Sequence, residues 1–327
     1  MKHTPSQFFF SILTALVVGV GIAYGGIAGF QFIHRSHVVQ KDPAPVEIKI
    51  FSTPSILSRF SRTLTYTAEA IQEETGDDIT LTGQSISALA TSSVTALAYS
   101  VQSLDKDNVL VERNAETLLP IASVTKLVTA IVAKKLFKDS DTVDITTRAF
   151  MTEGNTANFR IGEKIKVKDI LFPLLMVSSN DAAEALAQGY DQKHGKGSFV
   201  KEMNEWVGSI GAYRTHFRDP SGLSPDNIST AHDLSLIAKW IKEHSPEIFD
   251  ITLTKSKTVR FHTWNNPTHF LSLSSYTGGK NGYTTEAHST NVSLFSLGSP
   301  ARLYSVVILG SKQRDKDTIT LLNEAVK

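Results

Sequence analysis

The sequence predicts an α+β protein. An antiparallel sheet is built from both ends of one domain, helices lie on its faces, and one transmembrane helix precedes it. Two patterns lead there. Strand-like runs near 98–112 are followed by helical periods through the middle of the chain, and strand-like runs return after about 258. Strands first, helices between and strands again mean that both ends of the domain share one sheet. Separately, Phe8–Ile33 carries no charged residue and exceeds the roughly 20 residues needed to cross a bilayer.

In chain order, the apolar stretch comes first. A secretory signal has an apolar core of about 7–15 residues, shorter than this one, so an uncleaved single-pass anchor is expected for residues 1–33. Lys2 precedes the span and Arg35 and Lys41 follow it, so charge leaves its orientation open. Gly21, Gly25 and Gly29 recur at every fourth position, a small-residue stripe on which two such helices could weakly associate. Residues 34–95 read as a juxtamembrane linker, broken by Pro43, Pro45 and Pro54. Within it, Leu57, Phe60, Leu64, Ala68 and Ile71 share one face of a helix near 54–76. The Ser/Thr-rich stretch after that helix reads as a second linker, and the domain is expected to start near Ala96.

Inside the domain, Ala98–Gln102 and Val109–Glu112 read as strands with Asp105–Asn108 turning between them. Helices are expected over 123–137, 167–176, 181–189, 199–210 and from Ser229 or Thr230 to Lys242, where a hydroxyl can cap the start. Strands follow at 258–262, 278–283, 291–297 and 304–309, and a helix at 318–326 closes the pattern.

The bulk numbers exclude several chemistries. A net charge of +1 gives no electrostatic case for nucleic acid. The absence of cysteine excludes disulfides and thiol catalysis. The ten histidines form no H-E-x-x-H pair. No metal and no cofactor is expected.

The chemistry lies in three short motifs. Ser123-Val124-Thr125-Lys126 follows Leu119-Pro120-Ile121-Ala122 and opens an apolar run. Proline and small residues before such a run mark a helix start, which sets the Lys126 amine one turn from the Ser123 hydroxyl on the same face. A serine needs a base to become nucleophilic. Lys126 can serve only as a neutral amine, a state that burial and a nearby positive charge both favour. Ser178-Ser179-Asn180 and Lys280-Asn281-Gly282 follow. The order S-x-x-K, S-x-N, K-[T/S]-G marks the penicillin-interacting serine enzymes, and the third motif here departs from it as K-N-G.

Further segments support the match in the same order: Thr152-Glu153-Gly154-Asn155, Gly162-Glu163-Lys164, Asp181-Ala182-Ala183, Asp219-Pro220-Ser221-Gly222-Leu223-Ser224, Ser229-Thr230-Ala231 and Gly278 to Thr284. With these, the chain resembles the low-molecular-mass penicillin-binding proteins, specifically the D-alanyl-D-alanine carboxypeptidase family, from about Ala96 to the C-terminus. The resemblance implies the β-lactamase/transpeptidase-like fold. It implies acyl transfer from a cell-wall (peptidoglycan) stem peptide ending in D-Ala-D-Ala, with β-lactams as covalent inhibitors, and hence a domain on the extracytoplasmic side of the cell membrane.

Residue by residue, the resemblance makes Ser123 the nucleophile and Lys126 its base, and puts Ser178 in the proton relay. Asn180, Lys280, Asn281, Gly282 and Tyr283 would bind substrate. The backbone N–H groups of Ser123 and Tyr283 would hold the oxyanion, and Arg314 is a further candidate partner for the substrate carboxylate. The N-terminal span would replace the C-terminal anchor that many family members carry. Asn281 stands where the family has Thr or Ser, although an amide can also donate a hydrogen bond. Three other readings stay open: a weakly active or inactive envelope scaffold that binds peptidoglycan, a transpeptidase that differs only in which acceptor meets the acyl-enzyme, and a serine β-lactamase. The last needs a second base for deacylation, and no E-x-x-L-N segment lies between the second and third motifs.

Overall fold

The computed structural model describes residues 93–327. The expected transmembrane helix, its glycine stripe and the helix near 54–76 lie outside these residues. Among the described residues no helix is long and apolar enough to cross a membrane.

Five antiparallel strands form the main sheet. β1 (Ala98–Ser103) and β2 (Asn108–Arg113) come from the start of the domain, and β9 (Tyr276–Thr284), β10 (His288–Leu297) and β11 (Arg302–Ser311) from its end. Their order is β2-β1-β11-β10-β9, so the first and last strands in sequence pair at the centre, with Ala98 opposite Leu309. Alternation sorts the apolar residues onto two faces. Ala98, Val292, Leu294, Val307 and Leu309 join the larger core. Tyr99, Val101, Phe295, Val306 and Ile308 join a smaller one with Leu321 and Leu322 of the C-terminal helix, α8 (Arg314–Ala325). Val94 and Ala96 are already buried, and Thr95 donates its N–H and its hydroxyl to the Asp317 carboxylate. The packed body therefore includes Val94 and Thr95, just ahead of the expected start.

The middle of the chain supplies the helices over the larger core. A 3-10 turn, Ala122–Val124, leads into α1 (Thr125–Leu136), which is buried continuously from Thr125 to Ala133. Around it stand α2 (Thr147–Phe150), α3 (Val167–Met176), α4 (Asn180–His194), α5 (Ser198–Ser209), α6 (Ala231–His244) and α7 (Glu247–Leu253). The Thr230 hydroxyl caps α6 by accepting from Asp233 N–H, as the sequence suggests. Three small ribbons fasten the connections. These are β3 (Leu119–Pro120) with β6 (Ile228–Ser229), β4 (Thr142–Asp144) with β5 (Lys164–Lys166), and β7 (Ser256–Val259) with β8 (His262–Asn265). The single strand expected at 258–262 is thus a hairpin, and α2 and α7 were not expected.

Candidate active site

The cleft lies between edge strand β9 and the starts of α1 and α4. Ala122, at φ +48°, bends the chain so that Ser123 leaves the core half-exposed, one residue ahead of buried Val124. Lys126 follows in the first turn of α1 and is fully buried. Its Nζ lies 2.9 Å from Ser123 Oγ, 2.7 Å from Asn180 Oδ1 and 2.5 Å from the Ser221 carbonyl oxygen.

Those three neighbours decide what the amine can do. Burial, and next the positive charge of Lys280, hold the Lys126 pKa well below the ordinary lysine value; Asp219 and Asp181 oppose this but do not outweigh it. A neutral amine has two N–H bonds and one lone pair. Carbonyl oxygens can only accept, so Asn180 Oδ1 and Ser221 O take the two N–H bonds. In the neutral form the lone pair is left for the Ser123 hydroxyl to donate to, whereas the ammonium form donates to Ser123 Oγ.

Each accepting oxygen is itself fixed. Asn180 is the first residue of α4, whose cap is Ser179: its hydroxyl accepts from Ala182 N–H. Ser178, at φ +61°, and Asn180 thereby face the cleft on either side of the capping residue. Asn180 Nδ2 donates to the Glu153 carbonyl at 2.6 Å, which orients the amide with its oxygen toward Lys126. Gly154 leaves room for this, since a Cβ there would lie 2.6 Å from Asn180 Nδ2. The Ser221 carbonyl is held by a turn wound on one carboxylate. Asp219 accepts from the N–H groups of Ser221, Gly222 and Ser224 and from the Ser221 hydroxyl.

The third motif occupies β9. Lys280 is buried, and its Nζ donates to Ser178 Oγ at 3.0 Å and to the Asn281 carbonyl at 2.6 Å. Burial, then the charge of Arg314, pulls its pKa down to about 7. Gly282 abuts the nucleophile's turn: a Cβ there would stand 2.6 Å from Ser123 N and 2.9 Å from Ala122 Cβ. Tyr283 is next along the strand, with its side chain in solvent. Asn281 is half-buried, and its carboxamide has no hydrogen-bond partner among the described residues. With Asn155, Asn266, Thr268 and Tyr276 it lines a cavity that continues the cleft beyond Lys280. No direct hydrogen bond joins the Ser123–Lys126–Asn180 group to the Ser178–Lys280 pair. They are linked through space, by the charge of Lys280 acting on Lys126.

The eight motif residues singled out from sequence thus meet at one cleft; Arg314, the ninth candidate, opens α8 with its Nε donating to Asp315 at 2.7 Å, and its charge reaches Lys280. The Ser221 carbonyl and the Asp219 carboxylate behind it lie in a segment that entered the sequence reading as part of the family match; its D-P-S-G run signals a turn, but nothing in it signals a contact to Lys126. No cluster of metal-ligating side chains occurs among the described residues.

A family model described as D-alanyl-D-alanine carboxypeptidase matches residues 84–312. The chain belongs to this family. Among curated D-alanyl-D-alanine peptidases, an endopeptidase of Pseudomonas aeruginosa is 35% identical over 194 residues, covering 55% of this chain and 60% of the relative. A carboxypeptidase of Bacillus subtilis is 31% identical, covering 56% of this chain and 49% of the relative. The chain thus spans about half to three fifths of these relatives. Among solved structures, a Mycobacterium tuberculosis D-alanyl-D-alanine carboxypeptidase aligns at TM-score 0.65 and 28% identity, over 71% of this chain and 91% of that one. The Streptomyces K15 DD-transpeptidase aligns at 0.66 and 25%, over 72% and 98%.

Proposed function

We propose that this protein is a membrane-anchored serine D-alanyl-D-alanine carboxypeptidase acting on peptidoglycan stem peptides. The observation that carries the reading is the buried Lys126 amine, held by the Asn180 and Ser221 carbonyl oxygens with Ser123 Oγ 2.9 Å away as its third neighbour. Ser123 Oγ attacks the penultimate D-Ala carbonyl while its proton passes to Lys126. The tetrahedral intermediate collapses by breaking the peptide bond. The departing D-Ala nitrogen takes up the proton that Lys126 had accepted, relayed through the Ser178 hydroxyl, which Lys280 positions, so Lys126 is neutral again. Lys280, Asn281 and Arg314 attract the terminal carboxylate. Water then attacks the acyl-enzyme ester, giving its proton to the neutral Lys126, which returns it to Ser123 Oγ as the ester bond breaks and the shortened peptide leaves. Backbone N–H groups at Ser123 and Tyr283 hold the oxyanion, one such donor typically being worth about 2.7–4 kcal/mol. The N-terminal apolar stretch anchors the enzyme with its cleft outside the cytoplasm.

The test is intact mass after incubation with a penicillin, together with D-alanine release from a stem pentapeptide. Wild type should gain one drug mass and release D-alanine; Ser123→Ala should do neither. No adduct and no release in wild type defeats the hydrolase reading and leaves a binding scaffold. Rapid multiple turnover of the drug indicates a β-lactamase.

An endopeptidase variant of the same chemistry has support of its own. One of the relatives named above is an endopeptidase, and the cavity beyond Lys280 and Asn281 offers polar lining to a leaving group larger than D-alanine. Cleavage of a cross-linked muropeptide dimer, compared with D-alanine release, measures the balance.

A further inference from the structure

The turn joining β7 to β8 consists of two residues, Arg260 and Phe261, because Val259 already pairs with His262. Arg260 holds φ +54°, at the first central position, where two-residue turns of this kind ordinarily carry glycine. Backbone strain of that sort persists where the side chains are put to use. Phe261 is 63% exposed at the tip and Ile161, on the neighbouring turn, 55%. The Arg160 guanidinium lies over the Phe261 ring, 4.8 Å from its centroid. Arg260 Nη1 donates to the Lys164 carbonyl at 3.1 Å, so the two turns meet edge to edge. Lys164 and Lys166 point outward on either side of buried Ile165.

The edge is net cationic. It carries Arg160, Lys164, Lys166 and Arg260 against Asp144, which pairs with Lys164 at 2.8 Å, and Asp141, next to the Thr142 that pairs with Lys166. The nearby Glu163 carboxylate offers nothing to solvent, since it is buried and His262 Nε2 lies 2.9 Å from both its oxygens. That pair also fixes the edge. With Trp264 Nε1 donating to the Ala157 carbonyl at 3.0 Å and Phe159 packed edge-on against His262 and Trp264, it clamps the two turns into one preformed surface.

We propose that this edge docks on an anionic phospholipid bilayer. Two exposed apolar side chains ringed by guanidinium and ammonium groups match an interface where apolar groups enter below the headgroups and cations pair with lipid phosphate. A soluble polyanion would satisfy the arginines and leave Phe261 and Ile161 in water. The chain also carries the uncharged stretch Phe8–Ile33, long enough to span a bilayer, so a second contact on the folded body would act at high effective concentration. β8 has four residues and runs directly into Asn266, Pro267 and Thr268 of the cleft. At about 3.3 Å per residue the tip stands roughly 13 Å from the cleft's leaving-group end. Docking would hold that end close above the headgroups and confine the enzyme to peptides near the membrane. The proposal rests on this surface and on the membrane-anchored part of the proposed function, and is independent of the hydrolase reading.

Because the chain contains no cysteine, a single introduced thiol reports on one place. The full chain carrying Thr263→Cys, labelled with an environment-sensitive fluorophore, is reconstituted in vesicles of phosphatidylcholine alone or with 30 mol% phosphatidylglycerol, with spin-labelled lipid as quencher. A blue shift and quenching are expected only with phosphatidylglycerol. Both should be lost in Arg160→Glu/Arg260→Glu and reduced severalfold in Phe261→Ser. A label at Lys106→Cys, on the β1–β2 turn, should stay in water throughout. A single thermal transition in each variant checks folding. Equal quenching in the two lipids, or quenching that survives charge reversal, overturns the proposal. So does binding of inorganic polyphosphate that needs the arginines, ignores Phe261 and occurs without lipid quenching.

Discussion

At the scale of single residues, the site depends on the protonation of two buried amines. Lys126 works only with a lone pair, so Lys126→Arg, which stays charged and cannot give up its proton, is not conservative. Acylation by a penicillin should slow by about 10²–10⁴-fold, the usual range for losing a general base, and a rate within threefold of wild type would remove Lys126 from that role. Lys280 has the opposite requirement, since it must be protonated to attract a carboxylate. Its pKa of about 7 in the free protein predicts that kcat/KM falls as pH rises above neutrality. A bound substrate carboxylate stabilises the ammonium form, so the alkaline limb of kcat should lie at higher pH. Coincident limbs would mean that the carboxylate does not reach Lys280. The linkage to folding has its own sign. The folded pKa lies below that of the unfolded lysine, so between about pH 7 and 10.5 the unfolded chain binds more protons, and this group makes stability rise with pH. Lys280→Met should therefore raise the melting temperature at pH 6 while weakening peptide binding. Asn281 has an unengaged carboxamide pointing into the same space. If it binds the substrate carboxylate as Thr or Ser would, Asn281→Thr should keep D-alanine release within about tenfold, the scale of one exchanged hydrogen bond, whereas Asn281→Ala should lose more.

At the scale of elements, two glycines let three segments converge on Ser123. A Cβ on Gly282 would meet Ser123 N at 2.6 Å and Thr290 Oγ1 at 2.7 Å. Gly282→Ala should push β9 off the nucleophile's turn and reduce acylation more than it reduces stability, which drug-labelling rates and thermal melts measure together. Gly222, at φ +85°, would place a Cβ 2.0 Å from the Ala122 carbonyl oxygen. Backbone cannot yield there, so Gly222→Ala should cost stability as well, by upwards of about 2 kcal/mol. The three motifs were legible because each needs particular side chains at fixed spacing. The elements that support them were legible only in part. The Ser221 carbonyl is backbone and leaves no mark in a side-chain pattern, and the Glu163–His262 pair joins positions far apart in the chain. The β7–β8 hairpin reads as one strand because Arg-Phe fills a turn usually marked by glycine or asparagine. α8 reads as starting near Thr318, yet begins at Arg314, because its first turn, Arg-Asp-Lys-Asp, is polar and carries no apolar period. α7 follows Pro246 and spans only seven residues, too few for a helical period to stand out.

At the scale of the whole molecule, a sheet shared by both ends of the domain makes its first and last segments mutually dependent. β1 lies between β2 and β11, so it cannot hold its place until residues some two hundred positions later have folded. The sequence order of strands, helices and strands announces that closure; the bond that secures it is less visible. Asp317, buried in the first turns of α8, accepts from Thr95 N–H, from the Thr95 hydroxyl and from the Ser311 hydroxyl. One carboxylate thus ties the chain entering β1 to the chain leaving β11. Asp317→Ala removes the acceptor from several donors, and a buried group left unpaired costs about 1–3 kcal/mol. For a domain of this size, each kcal/mol lowers the melting temperature by roughly 2–4 °C. Because α8 packs on the sheet face opposite most of the helices, Asp317 stands apart from the Ser123–Lys126–Asn180 group. The variant should therefore melt several degrees lower, still in one transition, and react with a penicillin at the wild-type rate while folded. A split transition would mean that the two ends unfold separately, and a slowed acylation that the tie also shapes the cleft.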